Sequence, residues 1–285
     1  MKVLLVGNYV PDGHTSMLAF RRVLERELPR LGCDLRVIAP PKRVLRGHYT
    51  SRWWKWLGYI DKYVLFLPSL ASHARWADVV HICDHANAMY VPRVKARPNV
   101  ITCHDMIAVK AAKGLVDGWK VSWTGRLFQR LIGDGLSRAD LVACVSELTR
   151  REVLELGLAD ERHITTVLNG LNDDFSPVAP DEAQRLIAGF GLSVQDKYLI
   201  HVGWDLLRKN RRVVLESFIA LQQRGAEVVQ QLVFVGPELT PEMAELAQAH
   251  GVADRIKTVQ KISHEELRAL YASATALLFP SLQEG

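Results

Sequence analysis

The sequence has little of what marks secreted, membrane-spanning or metal-binding chains. Its 285 residues include only four cysteines, Cys33, Cys83, Cys103 and Cys144, and no two of them have a Cys-x-x-Cys or other metal-ligand spacing. No run of about 18 apolar residues is long enough to span a membrane. The apolar start of the chain breaks at Gly7, too early for a signal peptide. These absences predict a cytoplasmic protein whose cysteines are buried thiols.

What the sequence does contain is the composition of a folded protein with unevenly spread charge. Hydrophobic residues make up 48% and charged residues 24%, which is ordinary for globular chains. A length of 285 residues exceeds what one hydrophobic core usually supports, so we expect two domains. Residues 1–176 carry 25 Lys or Arg and 18 Asp or Glu, whereas residues 177–285 carry 11 and 13. The basic first half predicts an anionic partner, for which nucleic acid, a phosphorylated acceptor and a membrane surface all qualify.

Short β-branched runs alternate with helical patterns along the first half. Apolar runs of this kind predict strands that are mostly buried on both faces of a parallel sheet. The predicted strands are Lys2–Val6, Asp34–Ala39, Asp78–Ile82, Asn99–Thr102, Asp140–Val145 and Ile164–Leu168. A polar stretch with two prolines between Leu171 and Pro180 predicts a linker. We therefore expect domains of residues 1–173 and 174–285.

The second half repeats the alternation over fewer strands. Its three clear strands are Tyr198–Val202, Gln231–Val235 and Thr275–Phe279, with helices near 181–189, 210–224, 241–250 and 264–273. Doubly wound sheets usually have about five or six strands. The sequence therefore predicts an α/β protein whose second doubly wound domain is incomplete.

The segment after Tyr198–Val202 is the first place to look for a ligand, because open parallel sheets bind ligands at the carboxyl ends of strands. That segment, Gly203–Asn210, leads into a predicted helix with Arg208 and Lys209 near its start. An arginine fork, a lysine point charge and helix N-terminal amides together suit a pyrophosphate. The alternative is a solvated basic helix start, because two more arginines follow. Spacing alone does not decide between them.

Two strand ends of the first half also carry polar side chains. His104 and Asp105 directly follow a predicted strand, where an imidazole can hydrogen-bond or change its charge near a reacting centre. The alternative is a His-Asp pair that only fixes the loop. His81, Asp84 and His85 form a second cluster, which is either a metal site or an ordinary polar loop.

The loop after the first strand excludes one class of enzyme. A dinucleotide-binding fold needs Gly-x-Gly-x-x-Gly at this turn, and residues 7–14 do not contain it. The sequence therefore gives no support to hydride transfer.

Several short segments occur in an order that is informative as a set. They are Asp140–Ser146, Val167–Pro177, Arg208–Asn210, Leu232–Gly236, and Leu267–Tyr271 followed by Phe279–Gly285. Together they resemble the retaining glycosyltransferases of family 4, and the resemblance covers nearly the whole chain. It implies the GT-B fold, in which two Rossmann-like, doubly wound parallel-sheet domains face a cleft. The N-terminal domain would then be the acceptor side, and the C-terminal domain would bind a nucleotide-sugar donor.

The resemblance also implies roles for the residues of the second domain. Arg208 and Lys209 would hold the donor diphosphate, and Gly203 would let the backbone come close to it. Glu284 matches the first of two family glutamates, the one expected near the donor sugar. The second, expected at the ribose, is not in this sequence, so we expect a partial donor domain.

In the first domain, the resemblance implies that His104 lies against the donor sugar and acts with Glu284 as a catalytic residue. The loop containing Gly13 and His14 would face the acceptor side, although the family often has a glycine pair where only Gly13 fits. Members of this family need neither a catalytic metal nor a cofactor, which favours an ordinary polar loop at His81. The nucleotide base, the sugar, the acceptor and the oligomeric state are left open by the sequence.

A basic and aromatic segment, Arg36–Ile60, has six Lys or Arg, no acidic residue, and the tryptophans Trp53, Trp54 and Trp56. Tryptophan and basic side chains suit an anionic membrane surface or a lipid-linked acceptor. Stacking on nucleobases is a second reading, which the resemblance disfavours, so we expect no nucleic acid. A helix that uses its tryptophans as core is the remaining alternative.

The sequence thus predicts a retaining transferase that moves a sugar from a nucleoside-diphosphate sugar to a glycan or lipid-linked envelope precursor. Its expected location is the cytoplasm, at most peripheral to the inner face of the membrane. Two alternatives remain. One is a truncated fragment that binds acceptor or membrane without turnover, and the other is a GT-B sugar-nucleotide epimerase.

Overall fold

The computed structural model describes residues 1–44, 52–116, 118–171, 175–225 and 228–284, without the side chains of residues 52–55. The chain divides into two compact units, Met1–Asn172 and Asp173–Glu284. No helix among the described residues is both long and apolar enough to cross a membrane.

The first unit is built on a six-stranded parallel sheet with the strand order β2-β1-β3-β4-β5-β6. Its strands are β1 (Lys2–Val6), β2 (Asp34–Ile38), β3 (Val79–Ile82), β4 (Asn99–Cys103), β5 (Leu141–Cys144) and β6 (Ile164–Thr166). Every neighbouring pair is parallel, with Val6 opposite Ile38 and Cys103 opposite Cys144. All six strands overlap the predicted ones, and the parallel sheet is confirmed.

Seven α-helices connect these strands in the described part of the first unit. They are α1 (Thr15–Arg30), α2 (Arg52–Ile60), α3 (Leu67–Ala74), α4 (Val91–Val94), α5 (Ile107–Ala112), α6 (Trp123–Leu136) and α7 (Glu147–Glu155). A π-helical turn, Asp61–Leu65, continues α2, and 3₁₀ turns span Val10–Asp12 and His85–Tyr90. Serine hydroxyls cap α6 and α7, which fixes where each helix begins.

Burial follows the position of each strand in the sheet. Leu4, Ile101 and Val142, on inner strands, are fully buried in one core. The expectation of burial on both faces is wrong for β2, where no residue is buried, because it is an edge strand. Helix α6 packs closely on the 3₁₀ turn beside it, since a Cβ at Gly135 would lie 2.3 Å from the carbonyl oxygen of Ala88.

Cys83, Cys103 and Cys144 are buried free thiols, and Cys33 is a half-buried free thiol. The expected burial is therefore confirmed for three of the four cysteines.

The second unit has a four-stranded parallel sheet with the order β10-β7-β8-β9. Its strands are β7 (Tyr198–Val202), β8 (Gln231–Val235), β9 (Ile256–Val259) and β10 (Ala276–Leu277), and its helices are α8 (Pro180–Ile187), α9 (Arg211–Gln223), α10 (Pro241–Ala249) and α11 (His264–Ser273). The expectation of three strands missed β9, a short edge strand interrupted by Lys257 and Thr258, because it lacks a continuous apolar run.

Two separate cores cover the two faces of this sheet. Phe218 and Phe234 belong to the core on the side of α9 and α10. Tyr198, Ile200 and Leu270 belong to the core on the side of α8 and α11, where the Tyr198 hydroxyl donates to the Leu270 carbonyl at 2.6 Å. The sheet is therefore doubly wound, as predicted, and the α/β class holds for both units.

The basic and aromatic segment, Arg36–Ile60, is described only in part. The Arg36 guanidinium lies 4.0 Å from the ring centroid of Trp76, so this cation is used within the fold. Trp56 is 53% exposed, so the core reading is wrong for this tryptophan. Arg46, Trp53 and Trp54 lie among residues 45–55, whose side chains are outside the described part.

Candidate active site

The loop after β7 carries the predicted diphosphate-binding residues. Arg208 and Lys209 lie in a 3₁₀ turn, Leu207–Lys209, and Asn210 follows in the left-handed conformation with φ 54°. Helix α9 begins only at Arg211. The prediction that Gly203–Asn210 leads directly into a helix near residue 210 is confirmed, and the left-handed Asn210 turns the chain between the two cations and that helix.

Glu284 bridges the two cations, although it lies 75 and 76 residues away in the sequence. Its Oε2 is 2.9 Å from Nη1 of Arg208, and its Oε1 is 2.6 Å from Nζ of Lys209. Two further bonds hold the chain after β10 on this loop, from the Leu282 amide to the Arg208 carbonyl and from Asn210 Nδ2 to the Pro280 carbonyl. The structure thus brings together three residues that the sequence assigned to one site.

Charge in this cluster favours anions. Two cations and one carboxylate leave a net charge of one positive unit. Burial raises the pKa of Glu284, but hydrogen bonds from Lys209 and Ser281, with the charges of Lys209 and Arg208, outweigh it and lower the pKa. The side chain of Lys209 is 15% exposed, against 30% for Arg208. Lys209 also lies 4.8 Å from the ring centroid of Phe279, which restricts it further.

Gly236 lets the end of β8 approach the end of β7. A Cβ at Gly236 would lie 2.2 Å from the Gly203 carbonyl oxygen, and Gly236 has φ 148°, which side chains disfavour. A Cβ at Gly203 would lie 3.5 Å from the Lys209 stem and 3.2 Å from Nε2 of His201. The tight approach at Gly203 is therefore to His201, whereas the distance to Lys209 is an ordinary van der Waals contact.

The next two arginines have other tasks. Arg211 is buried, donates to the carbonyls of Pro237 and Glu238, and lies 4.7 Å from the Phe234 ring. Arg212 is exposed and pairs with a glutamate one turn along α9. The reading of a solvated basic helix start therefore fits Arg212 alone.

A cavity of about 600 Å³ lies behind this loop, between the start of α9 and α10. It is lined by Asn210, Arg211 and Met243 among others, but not by Arg208, Lys209 or Glu284. Because the paired charges lie outside it, we take the charge cluster and not the cavity as the candidate site.

In the first unit, His104 follows β4 and is buried. Its Nε2 donates to the Cys83 carbonyl at 2.9 Å, and the ring of Phe20 packs edge-on at 4.9 Å. Burial lowers the pKa of His104, although the bond to Cys83 and the charge of Asp84 partly oppose this. The imidazole is therefore neutral at neutral pH and carries no positive charge. Because its one N–H is donated to Cys83, the other ring nitrogen, Nδ1, can only accept a hydrogen bond. Asp105 caps the following turn at the Ile107 amide.

Other strand ends of this unit join the same network. Asn8, after β1, donates to the carboxylate of Asp84, after β3. Burial raises the pKa of Asp84, but His85, the Ala86 amide and Asn8 outweigh it and lower the pKa. The sequence missed Asn8, and its position directly after a strand was the available signal.

The predicted acceptor-side loop lies between β1 and α1. Gly13 ends the 3₁₀ turn with φ 72°, and His14 precedes α1 with an exposed side chain. Asp12 beside them pairs with Nζ of Lys62 at 2.9 Å. Lys62 is buried and lies 5.0 Å from the ring centroid of Tyr59. The sequence did not single out Lys62.

Metal ligation finds no geometric support in the part of the chain that the structure describes. No three His, Cys, Asp or Glu side chains are grouped there so that they can hold an ion. Nε2 of His81 is 2.8 Å from Oγ1 of Thr102, and His85 lies 3.4 Å from Asp84. The cluster at the end of β3 is used in hydrogen bonding.

Comparison with known families places the chain. Residues 22–175, more than half of it, match the sequence model of Glycosyltransferase Family 4. Residues 183–285 match the model of Glycosyl transferases group 1. The chain belongs to Glycosyltransferase Family 4. The resemblance inferred from the motifs is confirmed.

Curated relatives of this family member are distant. The O-antigen chain mannosyltransferase B of Escherichia coli is 24% identical over 165 residues, which cover 56% of this chain and 42% of that protein. The 2-deoxystreptamine glucosyltransferase of Streptomyces kanamyceticus is 29% identical over 151 residues, or 52% and 38% of the two chains. The alignments thus span well under half of these relatives. They support glycosyl transfer as the general activity.

Solved structures match over the whole chain. WaaG, a glycosyltransferase involved in lipopolysaccharide biosynthesis, has a TM-score of 0.67 at 18% identity and covers 100% of this chain and 76% of its own. HepE of Anabaena in complex with UDP and glucose has a TM-score of 0.66 at 13% identity, covering 99% and 74%. At such identities the likeness concerns the fold, which is confirmed as GT-B.

Proposed function

We propose that this family member transfers a sugar from a nucleoside-diphosphate sugar to a hydroxyl of a glycan or lipid-linked acceptor, with retention of anomeric configuration. The observation that carries the proposal is the convergence of Arg208 and Lys209 on Glu284 at the end of β7. The solved HepE complex contains UDP and glucose, which supports a donor of this chemical class. We place the reaction in the cytoplasm.

Arg208 and Lys209 supply the positive charge that a departing diphosphate requires. A guanidinium offers a planar fork and an ammonium a point charge, and hydrogen bonds to charged groups contribute about 1.5 to 3 kcal/mol each. Because neighbouring side chains already hold both cations, little reorganisation is needed when charge develops on the leaving group. In this proposal neither a catalytic metal nor a cofactor is required.

The group transfer itself is balanced without a protein nucleophile. The bond between the anomeric carbon and the diphosphate oxygen breaks, and the acceptor oxygen bonds to the anomeric carbon on the same face. The acceptor proton goes to the departing phosphate. Glu284 positions the sugar, and neutral His104 accepts a hydrogen bond at Nδ1 near the reacting centre. The loop of Gly13 and His14 contributes to the acceptor side.

Calorimetric titration with nucleoside diphosphates tests the donor site. We expect UDP, GDP or ADP to bind, and both Arg208→Met and Lys209→Met to weaken binding about tenfold or more, since each removes a charged hydrogen bond. Arg224→Met, which removes a cation from the end of α9, is the control and should leave binding unchanged. Absence of binding by every common diphosphate and nucleotide sugar would refute the proposal.

Product analysis then identifies the reaction. Transfer to an acceptor in the presence of EDTA, with the donor's anomeric configuration kept, agrees with the proposal. Release of an altered nucleotide sugar without acceptor would instead establish an epimerase. Binding without any turnover would establish the non-catalytic fragment.

A further inference from the structure

Helix α6 presents an apolar stripe on its outer face. Trp123 is 75% exposed, Leu127 47% and Leu131 41%, and their four-residue spacing places them on one side of the helix. Ile132 and Leu136 are buried on the opposite side. A surface helix normally turns polar residues outward. Helix α6 therefore has a second apolar face that the core of this unit does not use.

A second stripe runs beside it. Trp56, Ile60 and Val64, at the same spacing on α2 and the π-helical turn that continues it, are all exposed. Tyr59 stacks on Phe128 of α6 with ring centroids 4.7 Å apart, so the two helices are neighbours. Each stripe lies opposite the buried side of its helix, and both therefore point away from the core. Exposed apolar patches of this kind mark interaction surfaces.

Basic side chains border the α6 stripe. Lys113, Arg126 and Arg130 line a cavity of about 390 Å³ between α5 and α6, together with one carboxylate, Asp134. Lys120 lines an adjoining cavity of about 270 Å³. Within the described residues, none of these four cations forms an ion pair. An unpaired basic cavity beside exposed apolar side chains matches an anionic headgroup beside acyl chains.

We propose that the face formed by these two stripes and the four cations, here called the α2/α6 face, binds the surface of an anionic lipid bilayer. The tryptophans and leucines enter the interfacial region, and headgroup phosphates occupy the basic cavities. This site extends beyond the basic and aromatic segment, with which it shares only Trp56 and Ile60. It does not depend on the reaction proposed above.

Charge argues against a second copy of the chain as the occupant. In a two-fold symmetric dimer the same surface of each copy meets its equivalent. The unpaired cations of both copies would then be brought together with only Asp134 to offset them on each side. An anionic bilayer supplies the complementary charge instead.

Co-sedimentation of the 285-residue chain with vesicles tests the charge contribution. We expect binding to phosphatidylcholine vesicles that contain phosphatidylglycerol, and much weaker binding to phosphatidylcholine alone. Arg126→Gln with Arg130→Gln should weaken binding about fivefold for each arginine removed. Arg22→Gln with Arg151→Gln removes the same charge from α1 and α7 and should leave binding unchanged. An equal loss of vesicle binding in the two double variants would show that only the net charge matters, and would overturn the proposal.

The apolar contribution has its own matched pair. Trp123→Ser, Leu127→Ser and Leu131→Ser together should lower binding to the level of neutral vesicles while leaving circular dichroism and unfolding unchanged. Leu31→Ser with Leu148→Ser, exposed residues outside the α2/α6 face, should bind as the parent does. Sedimentation velocity identifies the competing occupant. A dimer that the triple variant converts to monomer, without vesicle binding by the parent, would overturn the proposal.

Discussion

Replacing Glu284 with glutamine separates the two roles that we propose for the charge cluster, diphosphate binding and sugar transfer. Arg208 and Lys209 donate to different carboxylate oxygens, at 2.9 and 2.6 Å. The amide oxygen of glutamine still accepts from one of the two cations, while the amide nitrogen is a donor and leaves the other cation free for a ligand. The net charge of the cluster rises from one to two positive units. We therefore expect Glu284→Gln to bind a free nucleoside diphosphate more tightly than the parent chain.

The size of the effect follows from the exposure of these groups. Because Glu284 is about one third exposed, solvent screens its charge, and the gain is about 1 kcal/mol, or about fivefold in Kd. Added salt should reduce the difference, since screening weakens the contribution of the extra charge. Transfer of the sugar should nevertheless slow, because the proposed contact to the sugar loses its charge.

Calorimetry at two salt concentrations measures the first effect, and initial rates with a nucleotide sugar measure the second. Glu216→Gln is the matched control, because it removes one negative charge from the same unit but releases only the exposed Arg212. If Glu284→Gln binds the diphosphate more weakly than the control, the carboxylate is needed to hold the cations in place. The argument that the carboxylate competes with a diphosphate for the two cations would then be refuted.

Two stability predictions concern residues outside the charge cluster. Gly236→Ala should lower the free energy of unfolding by about 2 kcal/mol or more, because its Cβ would lie 2.2 Å from the Gly203 carbonyl oxygen at a strained φ. Gly189→Ala is the control, because a Cβ at Gly189 has open space around it. Equal urea midpoints for the two variants would contradict the steric argument. Burial lowers the pKa of His81 to about 4 from an ordinary 6.5. Below about pH 6.5 His81 is therefore protonated in the unfolded chain but still neutral in the folded chain. The free energy of unfolding falls as the pH is lowered through this range. The free energy of unfolding of the parent chain should therefore drop by about 2 kcal/mol more than that of His81→Gln between about pH 7 and pH 5. Urea denaturation of both proteins at several pH values measures this, and the same pH dependence in both would refute it.

Much of the fold was predictable because buried parallel strands have a local signature. The run Lys2–Val6 is apolar at four consecutive positions and is found as β1 with the same bounds. The edge strands were harder, since an edge faces solvent and needs no continuous apolar run. For this reason Ile256–Val259 was missed. The other edge strand, β10, covers only Ala276–Leu277 of the predicted Thr275–Phe279, although that segment is apolar.

The candidate site was predictable as a set of residues but not as an arrangement. Position after a strand and resemblance to a family pointed to Arg208, Lys209 and Glu284. Their mutual pairing was not predictable, because it joins segments about 75 residues apart and depends on β10 lying beside β7. The burial of Arg211 was not predictable either, because the sequence does not show which arginine of a basic run has carbonyl partners inside the fold.

The two cations differ in ways that bear on how the proposed diphosphate would be held. Lys209 is restrained by Glu284, by the Phe279 ring and by its packing over Gly203, and it is only 15% exposed. Arg208 has twice that exposure and one carboxylate partner. A phosphate approaching from solvent would therefore meet the guanidinium first. The arginine can retain one bond to Glu284 while its remaining N–H groups donate to the phosphate oxygens. Lys209 keeps the same position with or without the ligand, whereas Arg208 is free to adjust to it. We therefore assign the larger share of ground-state binding to Arg208. In the proposed reaction, stabilisation of the departing charge would then fall mainly to Lys209.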